Sequence, residues 1–85
     1  MWAAFFVVVA FCGAQALAQT ATFEKAFRDG DVAMRAGRLE EAATDFSQAT
    51  KLQPSFAEAH FNLGLVELRQ GHFEDAVASL NHSLR

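Results

Sequence analysis

An internal repeat of 34 residues is the feature that most constrains what this chain can fold into. When residues 23–51 are aligned with residues 57–85, eight positions are identical. The identical pairs are Glu24/Glu58, Phe27/Phe61, Gly30/Gly64, Val32/Val66, Arg35/Arg69, Gly37/Gly71, Glu40/Glu74 and Ala42/Ala76. A fixed period of this length indicates supersecondary units that stack on one another.

Each unit has the sequence pattern of a helix, a tight turn and a second helix. Gly37 and Gly71 stand where a first helix would end with a left-handed residue. Ser55 lies three residues before Glu58, which predicts a capping box at the start of the second unit. Acidic residues at 40–41 and 74–75 suit the positive end of each second helix.

Small residues predict a close crossing of the two helices within each unit. Gly30 and Gly64 leave space on the first helices, and Ala42 and Ala76 offer small side chains on the second helices. We expect Phe27 and Phe61 to pack within the helix layer.

Residues 1–18 carry no charged side chain and contain the single cysteine, Cys12. Small residues at Ala16 and Ala18 suit a signal peptidase, which predicts cleavage between Ala18 and Gln19 and an exported protein. No Lys or Arg precedes the apolar run, so the alternative is a membrane anchor formed by residues 2–18. If cleavage occurs, we expect no further contact with the membrane.

The repeat resembles the tetratricopeptide repeat family. The second unit carries the resemblance through Phe61-Asn62-Leu63-Gly64, Phe73, Ala76 and Leu80, and the first through Gly30, Leu39, Ala42, Phe46, Ala49 and Pro54. The resemblance implies an all-α fold, a fragment of an α-solenoid, with two helix–turn–helix repeats at residues 23–56 and 57–85. A signal segment (1–18) and a short linker (19–22) precede them, and the second repeat is incomplete at its C-terminus.

The resemblance also implies a concave face, lined by the first helix of each unit, that binds a peptide. The residues at the matching positions are Arg28, Asp31, Arg35, Asn62, Leu65 and Arg69. The side-chain amide of Asn62 can both donate to and accept from a ligand backbone. Arg35 and Arg69 recur one repeat apart, and such a stripe suits an acidic segment. For each of these residues, the alternative is an ordinary solvated helix surface.

Other chemistry finds little support in the sequence. The three histidines, at positions 60, 72 and 82, do not have the spacing that places two ligands on one helix face. The glycines after residue 19 are isolated, so no phosphate-binding loop is predicted. The net charge of −3 gives no basic surface for nucleic acid. We therefore expect no catalytic residues, metal site or cofactor.

The sequence thus predicts an exported helical-repeat adaptor that binds a protein or peptide segment on its concave face. The alternative is a set of structural N-terminal repeats, a truncated piece of a larger exported or anchored protein whose activity lies beyond residue 85. Two repeats are fewer than such arrays usually need. This favours a truncated piece of a longer array, and the alternative is that the uncapped last repeat packs against another copy of the chain or a partner.

Overall fold

The computed structural model describes residues 22–85, which form four helices and no strand. Helix α1 is described over residues 22–35, α2 spans Leu39–Leu52, α3 spans Ala57–Gln70 and α4 spans Phe73–Ser83. The helices form two hairpins, α1/α2 and α3/α4, and α2 also packs against α3. The predicted all-α fold of helical repeats is confirmed. The predicted signal segment and its cleavage site, Ala18–Gln19, lie outside the described residues.

The turns within the two hairpins have the same hydrogen-bonding pattern. Gly71 has a φ of 82°, and its amide donates to the Leu68 carbonyl at 3.1 Å. The next amide, that of His72, donates to the Glu67 carbonyl at 2.9 Å. Gly37 has a φ of 79°. One repeat earlier, the amides of Gly37 and Arg38 donate in the same way to the carbonyls of Met34 and Ala33. Both helices therefore end in a Schellman-type motif that requires a left-handed residue, as the sequence predicts.

The start of α3 differs from the sequence-based expectation. The N-cap is Phe56, and no side chain forms a capping hydrogen bond, so the predicted capping box of Ser55 and Glu58 is wrong. The Phe56 ring lies 5.0 Å from the Phe23 ring and 5.7 Å from the Phe27 ring, measured between centroids. The N-cap of α3 is therefore one residue later than predicted, at Phe56, whose ring packs against α1.

The two helical glycines allow the hairpins to close. A Cβ atom added at Gly30 would lie 2.9 Å from the Phe46 ring, and one at Gly64 would lie 2.8 Å from Leu80. Both distances are shorter than a van der Waals contact, so each first helix crosses its partner where it has no side chain. The prediction of a close crossing is confirmed. The residue nearest to Gly30 is Phe46 and not Ala42, and Gly64 lies against Leu80 and the Ala76 carbonyl oxygen.

The core consists of two neighbouring clusters that join both hairpins. One contains Phe46, which is fully buried, together with Leu63 and Val66 of α3. The other brings Phe23 and Ala26 of α1 against Ala49 and Ala59. Because each cluster takes residues from both hairpins, the two repeats share one hydrophobic core.

None of the helices within residues 22–85 is both long enough and apolar enough to cross a membrane.

Candidate functional site

The six residues predicted to bind a peptide follow one spacing on the first helix of each hairpin. Their positions on α1 and on α3 are separated by steps of three and four, which places each trio on one side of its helix. Asp31, Asn62 and Leu65 are partly buried, whereas the three arginines are exposed. We call these residues the α1/α3 face: Arg28, Asp31, Arg35, Asn62, Leu65 and Arg69.

The three arginines of the α1/α3 face differ in whether a carboxylate neutralises their charge. A guanidinium nitrogen of Arg35 lies 3.1 Å from a carboxylate oxygen of Asp31, one turn earlier on α1. The equivalent position on α3 is Leu65, so Arg69 has no carboxylate one turn before it. Among the described residues, neither Arg28 nor Arg69 forms an ion pair. The face therefore carries positive charge at Arg28 and Arg69, while Arg35 is paired internally.

An aromatic cluster holds α1 in place beneath this face. The ring of Phe27 makes edge-to-face contacts with Phe46 at 5.7 Å and with Phe56 at 5.7 Å between centroids. Phe27 thus packs within the helix layer, as predicted. Its repeat equivalent, Phe61, is 46% exposed, so the same prediction for Phe61 is wrong. The difference arises because α3 and the α2–α3 connection cover the first hairpin, whereas no described helix covers the second.

A hydrogen bond between Glu67 and Ser79 joins α3 to α4. The Ser79 hydroxyl is buried and donates to a Glu67 carboxylate oxygen at 2.6 Å. Glu67 lies on the side of α3 that faces α4, and its partner is 12 residues away in the sequence. Sequence analysis missed this pair, although a carboxylate at a core-facing position does signal the need for a buried donor.

Sequence analysis also missed a histidine pair. His60 of α3 and His82 of α4 stack with centroids 5.2 Å apart, and Nε2 of His60 lies 2.7 Å from the Pro54 carbonyl oxygen. The spacing rule for one helix could not find two histidines on different helices. Within residues 22–85, no three His, Cys, Asp or Glu side chains come together as a potential metal site.

A small charged group lies where α1 meets α2. Lys25 Nζ lies 2.7 Å from Asp29, and this hydrogen bond with its charge attraction raises the pKa of Lys25. Partial burial raises the pKa of the Asp45 carboxyl above its usual range, and repulsion from Asp29 and Glu41 adds to this effect. Lys25 and Asp45 do not belong to the α1/α3 face, so their pKa shifts bear on the stability of the fold and not on peptide binding.

A shallow and widely open depression lies elsewhere, along the outer side of α2, and contains no residue of the α1/α3 face. Its lining residues are Ala43, Thr44, Ser47, Gln48 and Lys51. Small-molecule sites are usually enclosed, which this depression is not.

Comparison with known proteins supports the assignment of a family. Searches of curated proteins and of solved structures give no significant match. The family model described as "Tetratricopeptide repeat" matches residues 27–85, which include parts of both hairpins and more than half of the chain. Together with the two equivalent hairpins and their shared core, this match shows that the chain belongs to the tetratricopeptide repeat family.

Proposed function

We propose that this protein is an exported adaptor that binds an acidic peptide segment on the α1/α3 face. Tetratricopeptide repeats generally mediate protein–protein interactions and are generally non-enzymatic scaffolds. The observation that carries the acidic preference is the pair of unneutralised guanidinium groups, Arg28 and Arg69, on a face that also includes the partly buried Asn62.

Each residue of the α1/α3 face has a role in this proposal. Arg28 and Arg69 form charge-assisted hydrogen bonds with Asp or Glu side chains of the ligand. Asn62 donates to and accepts from the ligand backbone. Leu65 supplies an apolar contact next to Arg69, and the Asp31–Arg35 pair limits the positive charge on α1. The ligand is an extended or helical peptide that lies across α1 and α3.

The experiment is a selection of random 12-residue peptides displayed on phage against the purified chain. We expect selected peptides to be enriched in Asp and Glu. Arg28→Glu and Arg69→Glu should each weaken binding of a selected peptide at least about tenfold, the usual effect of removing one charge-assisted contact.

Arg38→Glu is the matched control, because Arg38 is an exposed arginine of the α1–α2 turn that pairs with Glu41 at 3.0 Å. It changes the net charge equally but lies outside the α1/α3 face, so binding should stay within about twofold. Two results would contradict the proposal. One is that the selected peptides lack acidic residues, and the other is that Arg38→Glu weakens their binding as strongly as Arg69→Glu does.

The exported location rests on residues 1–18 and the predicted cleavage between Ala18 and Gln19. Intact-mass measurement of the protein recovered outside the cytoplasm should give a chain that begins at Gln19. Recovery of the uncleaved chain in the membrane fraction would support the anchor formed by residues 2–18 instead.

The second candidate function is structural: the two repeats support other parts of a larger protein and bind no peptide. The observation that favours it is the exposed apolar surface of the second hairpin, including Phe73 and Val77. Self-association through the last repeat would use the same surface. Failure of the phage selection to give any peptide dependent on the α1/α3 face would favour this alternative.

A further inference from the structure

Two histidines come together between α3 and α4, and neither belongs to the α1/α3 face. The rings of His60 and His82 stack with their centroids 5.2 Å apart and their planes at 28° to each other. His60 is partly buried and His82 is exposed, so solvent reaches the pair. The two side chains lie far apart in the sequence and are held side by side by the packing of α3 against α4. The pair therefore exists only in the folded chain.

A hydrogen bond to the backbone fixes the position of the proton on His60. Nε2 of His60 lies 2.7 Å from the Pro54 carbonyl oxygen. A carbonyl oxygen only accepts hydrogen bonds, so Nε2 carries the proton and donates it to this bond. In the neutral ring, Nδ1 then keeps its lone pair. Histidines that bind metal ions usually have this arrangement, in which one ring nitrogen donates to a carbonyl or carboxylate and the other binds the ion.

His82 supplies a second ring nitrogen that has no protein partner. Within residues 22–85, its ring makes the stacking contact with His60 and forms no hydrogen bond. A neutral imidazole has one nitrogen lone pair that can bind a metal ion. The pair therefore brings two unused lone pairs, one from α3 and one from α4, within a short distance of each other.

The separation of the two rings suits a shared metal ion. Two imidazoles that bind one ion at about 2.1 Å, with their bonds at a tetrahedral angle, have ring centroids about 5 Å apart. The observed distance between the centroids is 5.2 Å. Because His82 is exposed, its ring can rotate toward an ion held by His60 without displacing a packed neighbour. The backbone of α3 and α4 therefore already has the spacing that such a site needs.

We propose that His60 and His82 bind a divalent transition-metal ion such as Zn²⁺. Imidazole nitrogen is a suitable ligand for zinc, copper and nickel ions. Within residues 22–85, no third His, Cys, Asp or Glu side chain completes the site, so water fills the remaining positions. The ion links α3 to α4 and stabilises the folded chain, because the unfolded chain does not hold the two rings together. The site shares no residue with the α1/α3 face, so it stands independently of peptide binding.

The experiment is a titration of Zn²⁺ into the isotope-labelled full chain, followed by NMR. The chain carries no histidine tag, and the buffer contains no chelator. We expect shift changes that are centred on His60 and His82 and that saturate by about 1 mM Zn²⁺, a concentration that detects even weak binding. The same concentration of Zn²⁺ should raise the unfolding temperature of the chain, because the ion binds the folded state.

Three histidine variants locate the site. His60→Ala and His82→Ala should each weaken Zn²⁺ binding at least about tenfold, because a single imidazole ligand remains. Since His82 is exposed, its replacement leaves the core intact, and His82→Ala stays informative even if His60→Ala lowers stability. His72→Ala is the matched control. His72 is an exposed histidine of the α3–α4 turn outside the pair, so its replacement should change the affinity by no more than about twofold.

Three results would overturn the proposal. The first is the absence of shift changes at His60 and His82 at the highest Zn²⁺ concentration. The second is binding that His82→Ala leaves unchanged, which would assign the ion to another group, such as the Cys12 thiol. The third is equal weakening by His72→Ala and His82→Ala, which would show diffuse binding to surface histidines and no defined site.

Discussion

At the scale of single residues, Gly30 and Gly64 occupy equivalent helix crossings but face different neighbours. Gly30 lies against the ring of Phe46, which is fully buried and has little room to move. Gly64 lies against Leu80, a flexible and only partly buried side chain. The same substitution should therefore have unequal effects in the two repeats.

We predict that Gly30→Ala lowers the free energy of unfolding by about 1–3 kcal/mol, because the Phe46 ring must shift in a packed core. Gly64→Ala should cost less, since Leu80 can change rotamer. The higher helix propensity of alanine, up to about 1 kcal/mol over glycine, offsets part of the loss in both variants. Urea unfolding followed by circular dichroism measures both. A larger loss for Gly64→Ala than for Gly30→Ala would contradict this reading of the crossings.

Gly71 is required for its backbone conformation and not for space. It has a φ of 82°, and a Cβ added there would meet nothing within 4 Å. Gly71→Ala should therefore destabilise the fold by about 1–2 kcal/mol, the cost of a left-handed non-glycine residue. Gly71→Asn should recover part of this loss, because asparagine tolerates the left-handed region. Equal unfolding midpoints for the Ala and Asn variants would argue against a backbone cause.

Asp45 gives a prediction that depends on pH. Its pKa is raised in the folded protein by partial burial and by the charges of Asp29 and Glu41. The folded state therefore holds the proton more tightly than the unfolded chain does. The resulting stability is present below the unfolded pKa and is lost as the pH rises through the raised folded pKa.

We therefore expect Asp45→Asn to stabilise the protein at neutral pH by up to about 0.5 kcal/mol, the usual range for surface changes. At about pH 3 the native carboxyl is protonated, and the advantage of the variant should disappear. Urea midpoints at the two pH values test this. A gain that is the same at both would show that ionisation of Asp45 is not its cause.

At the scale of elements, the α3/α4 hairpin depends on a polar contact that the α1/α2 hairpin lacks. Glu67 accepts a hydrogen bond from Ser79, whereas the aligned residues of the first repeat are Ala33 and Asp45. Ser79→Ala should destabilise the fold by about 1–3 kcal/mol, because the partly buried carboxylate loses its donor. Adding Glu67→Gln should reduce this loss, since a neutral amide is easier to leave without that donor. Additive effects of the two changes would indicate that the contact contributes little.

How much the sequence could predict is also clearest at this scale. Helical periodicity and the two turn glycines predicted the four helices and their hairpins, because these signals are local. The start of α3 was predicted one residue early, since packing of Phe56 onto α1 is a tertiary contact. The His60–His82 stack was missed for the same reason: the two side chains meet only when α3 and α4 pack together.

The spacing of the six candidate residues along their helices follows from the sequence, whereas the ion pairing of their arginines does not; that they bind a peptide stays a prediction. The repeat period alone places Arg35 and Arg69 at equivalent points. The structure shows that Arg35 pairs with Asp31. The residue aligned with Asp31 in the second repeat is Leu65, which explains why Arg69 has no such partner. The sequence predicted a positive stripe of Arg35 and Arg69. Because Arg35 is paired with Asp31, the proposal relies instead on Arg28 and Arg69, which form no ion pair among the described residues.

At the scale of the whole molecule, the two repeats share a core but present two different surfaces. The α1/α3 face carries two arginines that form no ion pair among the described residues, Arg28 and Arg69. The second hairpin, in contrast, exposes apolar side chains, Phe73 and Val77 among them.

Chemical-shift mapping of an acidic peptide from the phage selection, bound to the isotope-labelled full chain, tests the central claim most directly. We predict that the largest shift changes fall on α1 and α3 around Arg28, Asn62 and Arg69, and that Arg69→Glu weakens the binding at least about tenfold. Changes centred on the outer side of α2 or on Phe73 and Val77 of α4, with Arg69→Glu binding as well as the native chain, would contradict this claim.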